Sequence, residues 1–257
     1  KDAIPDKLYI PLTDIRMLTK VDLLMLEMLA NCNWERPLYL AISVGSVSKL
    51  KFDNYFVQEG LAFRFTPFDY KKWGDVGENR LYAVDVERLY NNVMNRYKYG
   101  GLDTPGLYLD ETTLRTCWYH RRLFAQLAKE LIAQGDNERA KKVLAYAEQV
   151  IPGYNVPETH ESGSYDIATA YAALGEKTKA VTLAVHLIAE AEDYINWAFS
   201  LKGNRIEMVR NDCIYKFWQW NQYNELLKKI DGEKYKESNR RFEEKYALFA
   251  PTMNYKN

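Results

Sequence analysis

The fold is decided by residues 124–152, which read FAQLAKELIAQGDNERAKKVLAYAEQVIP. From Phe124 onward, apolar and small residues recur at i, i+3, i+4 and i+7, which places them on one face of a helix. Gly135 then permits a turn, and a returning helix carries alanine and branched residues on one face until Pro152. The stretch therefore predicts two helices that pack closely across a seam of small side chains.

The same offsets recur twice more toward the C-terminus. A second pair of helices is predicted from Ser164, with its turn at Gly175. A third, less regular pair is predicted with its turn at Asn221, because asparagine commonly replaces glycine where a positive φ is needed. A last helix from about Glu233 to Phe249 is expected to cap the stack, since its charged residues suit an outer face.

The first pair resembles one complete tetratricopeptide repeat. The residues that carry the resemblance are Phe124, Leu127, Ala128, Leu131, Ala140, Leu144, Ala147 and Pro152. The turns are spaced more widely than the roughly 34-residue period of that family, which predicts longer loops between the pairs. The resemblance implies a helical-repeat array, and such arrays bind many unrelated partners.

Three helix starts nearer the N-terminus are marked by capping residues. Thr19 and Asp22 have the spacing of a capping box, so a helix is expected to begin there and to end near Asn33. Asp85 and Asp110 precede helical patterns in the same way. The helix after Asp110 is expected to be long, reaching the turn of the first pair.

Alternating apolar residues between the first two of these helices predict short strands. The runs are 38–44, ended by Gly45 and Ser46, then 61–66, and a weaker one at 81–84. Side chains that alternate with period two point to opposite faces of a sheet. We therefore expect a small sheet with covering helices, whose strand order is not readable.

A break at Gly100 and Gly101 separates the mixed segment from the helical repeats. The expected division is a small α/β segment at 1–105 and tetratricopeptide-like repeats with a C-terminal capping helix at 106–257. The predicted fold class is α+β, mostly α, with a small N-terminal β-sheet followed by a helical-repeat array.

Composition excludes several classes of function. Lys and Arg number 35, as do Asp and Glu, so a broad nucleic-acid surface is not expected. No run of about 18 apolar residues predicts a membrane span. The three cysteines are far apart, so neither a zinc site nor a disulfide framework is indicated. The stretch Gly74–Gly77 lacks the spacing of a phosphate-binding loop. No metal or cofactor is therefore expected. The start, KDAIPDKLYIPL, has no signal-peptide pattern, so a soluble piece of a larger protein is expected.

Four charged residues are candidate binding residues: Glu35, Arg36, Glu59 and Arg64. They could form a polar cluster that contacts a membrane portion of the same polypeptide or a glycan. Alternatively, the first two cap the turn between helix and strand, and Glu59 pairs with Arg64 across a bend. Pairs of the second kind orient side chains and add little net stability.

Six aromatic residues are further candidates: Trp118, Tyr119, Tyr165, Trp197, Trp218 and Trp220. On one side of the array they would form a groove, and packing between helices is the alternative. Trp218 and Trp220 are two residues apart and cannot share a helix face, so one of them is expected to be partly exposed or packed in a seam. His160 lies in a loop rich in proline and glycine, where an exposed, metal-free side chain is expected.

Four motifs resemble a family of multi-spanning bacterial membrane proteins related to protein O-mannosyltransferases and common in the Bacteroidetes. They are LTKVDL at 18–23, NWERPLYLA at 33–41, YFVQEGLAFR at 55–64 and LYNNVM at 89–94. The resemblance implies a periplasmic segment that follows membrane helices. The acidic catalytic residues of the family are expected in its membrane portion, so none carries over to this chain.

Three hypotheses follow. The first is a non-catalytic accessory or interaction domain of a glycosyltransferase-like membrane protein, whose partner is another protein, a peptide or the membrane portion. The second is a periplasmic or outer-membrane carbohydrate-binding protein that uses aromatic platforms. The third, an enzyme in its own right, is disfavoured because no catalytic constellation appears in the sequence.

Overall fold

The computed structural model describes residues 7, 8, 10, 12, 15–32, 34–44, 53–70, 82–201 and 205–253. Several sequence predictions lie outside these residues, namely those at Asn33, Gly45, Ser46, Leu81 and Gly74–Gly77. The chain divides into two compact units, residues 1–98 and 99–257. This division precedes the expected one at residue 105, because the Tyr99 ring packs 5.6 Å from that of Phe124 and 6.0 Å from that of Tyr146.

The first unit begins with the predicted capped helix, α1, at Lys20–Asn31. The Thr19 hydroxyl accepts from the Asp22 backbone N–H at 3.3 Å, and the Thr19 N–H donates to the Asp22 carboxylate at 2.7 Å. These two reciprocal bonds satisfy donors that a helix start otherwise leaves unpaired, and they confirm the capping box.

The predicted small sheet is present and has four strands. They are β1 at Tyr39–Ala41, β2 at Phe56–Gln58, β3 at Ala62–Phe65 and β4 at Ala83–Val84. Their order is β1-β3-β2-β4, with β3 antiparallel to both neighbours and β2 parallel to β4. Strand β2 was not predicted. All three of its residues are buried, so it lacks the alternation that marks a half-exposed strand.

Helix α2 at Val86–Asn91 begins at Asp85 as predicted, and the Asp85 carboxylate accepts from the Arg88 N–H at 3.0 Å. It continues as a π-helical segment at Asn92–Arg96. The Tyr97 N–H donates to the Asn92 carbonyl at 2.9 Å, which is the wider bond of a π-turn.

The second unit is helical and packs in pairs. Its helices are α3 at Glu111–Ala133, α4 at Asn137–Val150, α5 at Ser164–Ala173, α6 at Lys177–Ser200, α7 at Arg205–Met208, α8 at Arg210–Ile230 and α9 at Gly232–Met253. Helix α3 packs on α4, α5 on α6, and α8 on α9, while α3–α5 and α6–α8 contacts join the pairs. Among the described residues, no helix is both long and apolar enough to cross a bilayer.

The first two predicted helix pairs are confirmed in their turns and in their seams. Gly135 and Gly175 have φ of +80° and +76°, a region that side chains with a Cβ rarely adopt. Ala128, Ala140 and Ala180 are fully buried where the paired helices approach. The tetratricopeptide likeness itself remains a prediction from the sequence pattern.

The predicted turn at Asn221 is wrong, because α8 continues through that position without a break. Trp220, Tyr223 and Leu227 are buried at i, i+3 and i+7, so one apolar face runs on past Asn221, which is itself exposed. The chain turns instead at Asp231, and α9 is the second helix of the third pair, not a cap that follows it.

Candidate functional site

Glu59 is the centre of a buried charge cluster in the first unit. Its Oε1 lies 2.6 Å from Arg64 Nε and 2.8 Å from Arg88 NH1, and the Tyr39 hydroxyl donates to Oε2 at 3.1 Å. A carboxylate that is only 7% exposed is costly unless it is paired in this way. The predicted pairing of Glu59 with Arg64 is confirmed. Partial burial and the adjacent carboxylate raise the pKa of Tyr39.

A cleft of about 630 Å³ opens beside Glu59, and we call it the arginine cleft. Its lining comprises Tyr39, Glu59, Gly60, Ala62, Arg88, Asn91, Asn92, Arg96 and Tyr97. The Asn92 amide donates to the Glu59 carbonyl at 2.7 Å, and the Leu61 N–H donates to the Tyr97 hydroxyl at 3.0 Å. A Cβ on Gly60 would stand 2.1 Å from that hydroxyl, so the close approach requires glycine. These bonds hold the wall of the cleft in place.

The second unit carries a set of packed rings that we call the aromatic face: His160, Tyr165, Tyr215 and Trp218. The Tyr215 and Trp218 rings stack with centroids 5.6 Å apart and planes 12° apart, and both are about half exposed. The His160 ring meets Trp218 edge to face at 5.6 Å and stacks on Tyr165 at 5.8 Å. The face therefore joins the α4–α5 loop to α8.

His160 is held from beneath by the buried Tyr223. The His160 Nδ1 and the Tyr223 hydroxyl share a hydrogen bond of 2.9 Å. Burial lowers the pKa of His160, and burial together with Glu190 and Glu161 raises the pKa of Tyr223. The expectation of an exposed loop histidine is therefore wrong, since His160 is a half-buried ring within the aromatic face.

One charged flank of the aromatic face is formed by Arg122 of α3. Its guanidinium donates from Nε to the Glu161 carbonyl at 2.6 Å and from NH2 to the same oxygen. The same guanidinium lies 5.9 Å from the ring centroid of Tyr119. This arrangement connects Tyr119 to the residue that follows His160.

The other flank is Lys216 of α8. Its Nζ lies 3.9 Å from Glu161 Oε1 and 5.9 Å from the ring centroid of Tyr194. The Tyr194 ring in turn packs 5.2 Å from that of Trp197. The surface around His160 is thus continuous with Trp197 and mixes rings with both signs of charge.

Arg121 fixes the loop that carries His160. Its NH1 donates to the Pro157 carbonyl at 2.7 Å and to Ser162 Oγ at 3.0 Å. Its NH2 donates to the Ile151 carbonyl at 3.0 Å and the Val156 carbonyl at 2.5 Å. Burial lowers the pKa of Arg121 to about 10. One buried guanidinium therefore satisfies three carbonyls that the loop would otherwise leave without donors.

Residues 1–87 match the family model described as TMEM260-associated domain 2. The match spans α1, the four strands and the start of α2, and includes Glu59 and Arg64. No curated protein and no solved structure matches the chain. The sequence is thus similar to a TMEM260-associated domain over residues 1–87, and the match does not extend to the helical array.

The remaining predicted site residues lie elsewhere. Glu35 and Arg36 are exposed in the turn between α1 and β1. Trp118 is half-buried on α3, with an indole Nε1 that is buried and has no hydrogen-bond partner among the described residues. Trp220 is fully buried and donates to Ser238 Oγ at 2.8 Å, so it is a core residue and not a surface platform.

Arg88, Arg96 and Tyr215 are among the residues of these sites that were not candidates from the sequence, and His160 was expected only as an exposed loop residue. The fourth sequence motif begins directly after Arg88 and contains Asn92, which was a signal for the arginine cleft. Tyr215 lies three residues before Trp218, a spacing that brings two side chains together on a helix. No local signal identified His160, because its ring partners come from distant parts of the chain.

Proposed function

We propose that this chain is an extramembrane accessory domain of a TMEM260-like membrane protein, lying on the periplasmic side of the inner membrane. The match of residues 1–87 to a TMEM260-associated domain carries the proposal. The motifs at 18–23, 33–41 and 55–64 fall within the same region and support the same relationship. The parent would be a glycosyltransferase-like protein whose chemistry lies in its membrane portion.

The second unit would serve as an interaction module for a protein or peptide partner. Specific protein interfaces are enriched in aromatic residues and arginine. The aromatic face has this composition, with Trp218 49% exposed and Arg122 bonded to the loop residue that follows His160. Because Arg121 fixes the loop beneath it, the surface is ordered before a partner binds, which lowers the entropic cost of binding.

The proposal is tested in cells with an antibody raised against this 30.1 kDa chain. We expect the antibody to detect a larger protein in the membrane fraction that resists alkaline carbonate extraction. External protease should remove the epitope from spheroplasts but not from intact cells. A carbonate-extractable protein of about the size of this chain would refute the membrane-protein proposal, and an epitope protected in spheroplasts would refute the periplasmic side.

A second candidate function is carbohydrate binding at the aromatic face. The nearly parallel, half-exposed rings of Tyr215 and Trp218 favour it, because aromatic faces offer rigid contact area to apolar faces of a ligand. Calorimetric titration with a panel of neutral oligosaccharides tests it. Binding should be lost in Trp218→Ala and kept in Trp34→Ala, which removes an equally exposed tryptophan of the first unit. No heat of binding across the panel would reject this function.

A further inference from the structure

The helix that begins at Val86 presents two arginines to the arginine cleft. Arg88, Asn92 and Arg96 follow one another at intervals of four residues, so they lie along one side of the helix, and all three line the cleft. Arg96 is the last residue of the π-helical segment. Such segments are uncommon, and they occur frequently at functional sites.

The charges around the cleft do not cancel. Glu59 neutralises part of the charge of Arg64 and Arg88, and Asp85 Oδ2 lies 3.3 Å from Arg88 Nε. Within the part of the chain that the structure describes, Arg96 makes no hydrogen bond or ion pair. Among the residues that line the cleft, the guanidinium groups of Arg88 and Arg96 and the carboxylate of Glu59 leave an excess of one positive charge.

The cleft is built before any ligand arrives. Glu59 holds Arg88 by its NH1, and Asp85 holds it by its Nε, so the direction of this guanidinium is set by two carboxylates. Tyr97 is fixed against the turn at Gly60, and Asn92 is fixed to the Glu59 carbonyl. A site ordered in this way loses little side-chain entropy when it binds.

We propose that the arginine cleft binds a small ligand that carries an oxyanion, either a phosphate or a carboxylate. A guanidinium presents paired N–H donors that match the oxygens of both groups, and the resulting hydrogen bonds are strengthened by charge. Arg96 supplies the uncommitted donors, and Arg88 supplies the positioned positive charge. Exposed Tyr39 and the Asn91 side chain provide further polar contacts at the rim.

The alternative role for Arg96 is structural. A cation in the last turn of a helix interacts favourably with the partial negative charge of the helix C-terminus. That role predicts a small loss of stability when Arg96 is replaced and no effect on ligands. The two roles are therefore separated by measuring binding and stability on the same variant.

The test titrates the whole chain with inorganic phosphate, pyrophosphate and glucuronate by calorimetry, at constant ionic strength. The amide signal of Leu61 in nuclear magnetic resonance serves as a local reporter, because this N–H donates to Tyr97 in the wall of the cleft. We expect saturable binding of at least one of the three anions, with a shift of the Leu61 signal. Binding of the phosphates alone assigns a phosphate ligand, and binding of glucuronate alone assigns a carboxylate ligand.

Arg96→Gln should weaken that binding about tenfold, the effect of losing one charge-assisted hydrogen bond, and should keep the thermal midpoint. Arg16→Gln is the matched control, because Arg16 is an exposed arginine of the same unit that does not line the cleft. Three results would overturn the proposal: no saturable binding of any of the three anions, equal affinity in Arg96→Gln and the unaltered chain, or an equal loss in Arg16→Gln.

Discussion

Replacing Arg121 with methionine is expected to loosen the loop that carries His160. The change removes the donors of three loop carbonyls, of which those of Ile151 and Val156 are in buried bonds and that of Pro157 is in a part-buried one. A buried acceptor without a partner costs about 1–3 kcal/mol, which gives up to roughly 6 kcal/mol for the two buried carbonyls. The change also removes the cost of burying the guanidinium. Burial lowers the pKa of this guanidinium to about 10, well below its ordinary value, which puts that cost at about 3 kcal/mol.

The expected net loss is therefore up to about 3 kcal/mol of unfolding free energy, confined to the second unit. Because the chain has two compact units, a single denaturation midpoint would mix their contributions. Hydrogen exchange followed by mass spectrometry avoids this difficulty, since peptides from the 151–163 loop and from the first unit are read separately. Loop amides should exchange roughly a hundredfold faster at this cost, and peptides from 82–98 should not change.

Arg122→Met is the control for Arg121→Met. Arg122 is the next residue on α3, is exposed, and bonds to one loop carbonyl, that of Glu161. Its replacement should cost less than about 1 kcal/mol, because water can take the place of the lost donor. If Arg121→Met cost no more than this control, or if it accelerated exchange in both units alike, the claim that one buried guanidinium orders the loop would be refuted.

Gly60→Ala should destabilise the first unit by about 2–4 kcal/mol in thermal unfolding, because the alanine Cβ would lie 2.1 Å from the Tyr97 hydroxyl. Adding Tyr97→Phe, which removes that hydroxyl, should restore part of the lost stability. Asn221→Ala should raise the free energy of unfolding by about 0.5 kcal/mol, because the residue is exposed within a continuous helix. Gly135→Ala should lower it by about 1–2 kcal/mol, because Gly135 has a φ of +80°. If Asn221→Ala destabilised the chain, the sequence prediction of a turn at Asn221 would be supported instead. The pKa of His160 is lowered in the folded chain, so on acidification the imidazole takes up a proton in the unfolded chain, near pH 6.5, before it does so in the folded chain. The free energy of unfolding should therefore fall as the pH drops from 7 to 5. Urea midpoints across that range should fall less steeply in His160→Gln, and parallel curves would contradict this assignment.

The parts of the fold that could be predicted are those set by residues close in sequence. Thr19, Asp85 and Asp110 each cap a helix through their own side chain, and all three helix starts are confirmed. Gly135 and Gly175 fix turns by a local backbone requirement. In each of these cases the physical cause lies within a few residues, so no knowledge of tertiary contacts was needed.

The errors occurred where tertiary packing decides the structure. Strand β2 at Phe56–Gln58 is buried on both faces, so its pairing with β3 and β4 left no periodic pattern in the sequence. Asn221 resembled a turn residue, yet Trp220 and Tyr223 on either side of it are buried by other helices. Local propensity was outweighed by burial in both cases.

The candidate sites could be predicted only in part, for the same reason. Glu59 and Arg64 are five residues apart across one strand turn, and their pairing was expected. Arg88, which bonds the same carboxylate oxygen, comes 29 residues after Glu59. His160 bonds Tyr223, which is 63 residues further along. Contacts of this length depend on how helices and strands pack, and neither composition nor spacing encodes them.

Each of the two sites depends on a buried charged residue of its own, which orders the wall or loop around it. The choice of residues for a functional test therefore matters. Glu59 and Arg121 each bond several groups of the wall or loop around them, so their replacement would remove binding and local order together. Arg96 and Trp218 are exposed and lie in different units, so each can be changed without loss of a buried partner. Effects of changes at distant, independent sites add. A chain with both Arg96→Gln and Trp218→Ala should therefore lose as much anion affinity as Arg96→Gln alone and as much affinity for the partner or glycan as Trp218→Ala alone. If either loss changed in the double variant, the two units would not bind independently.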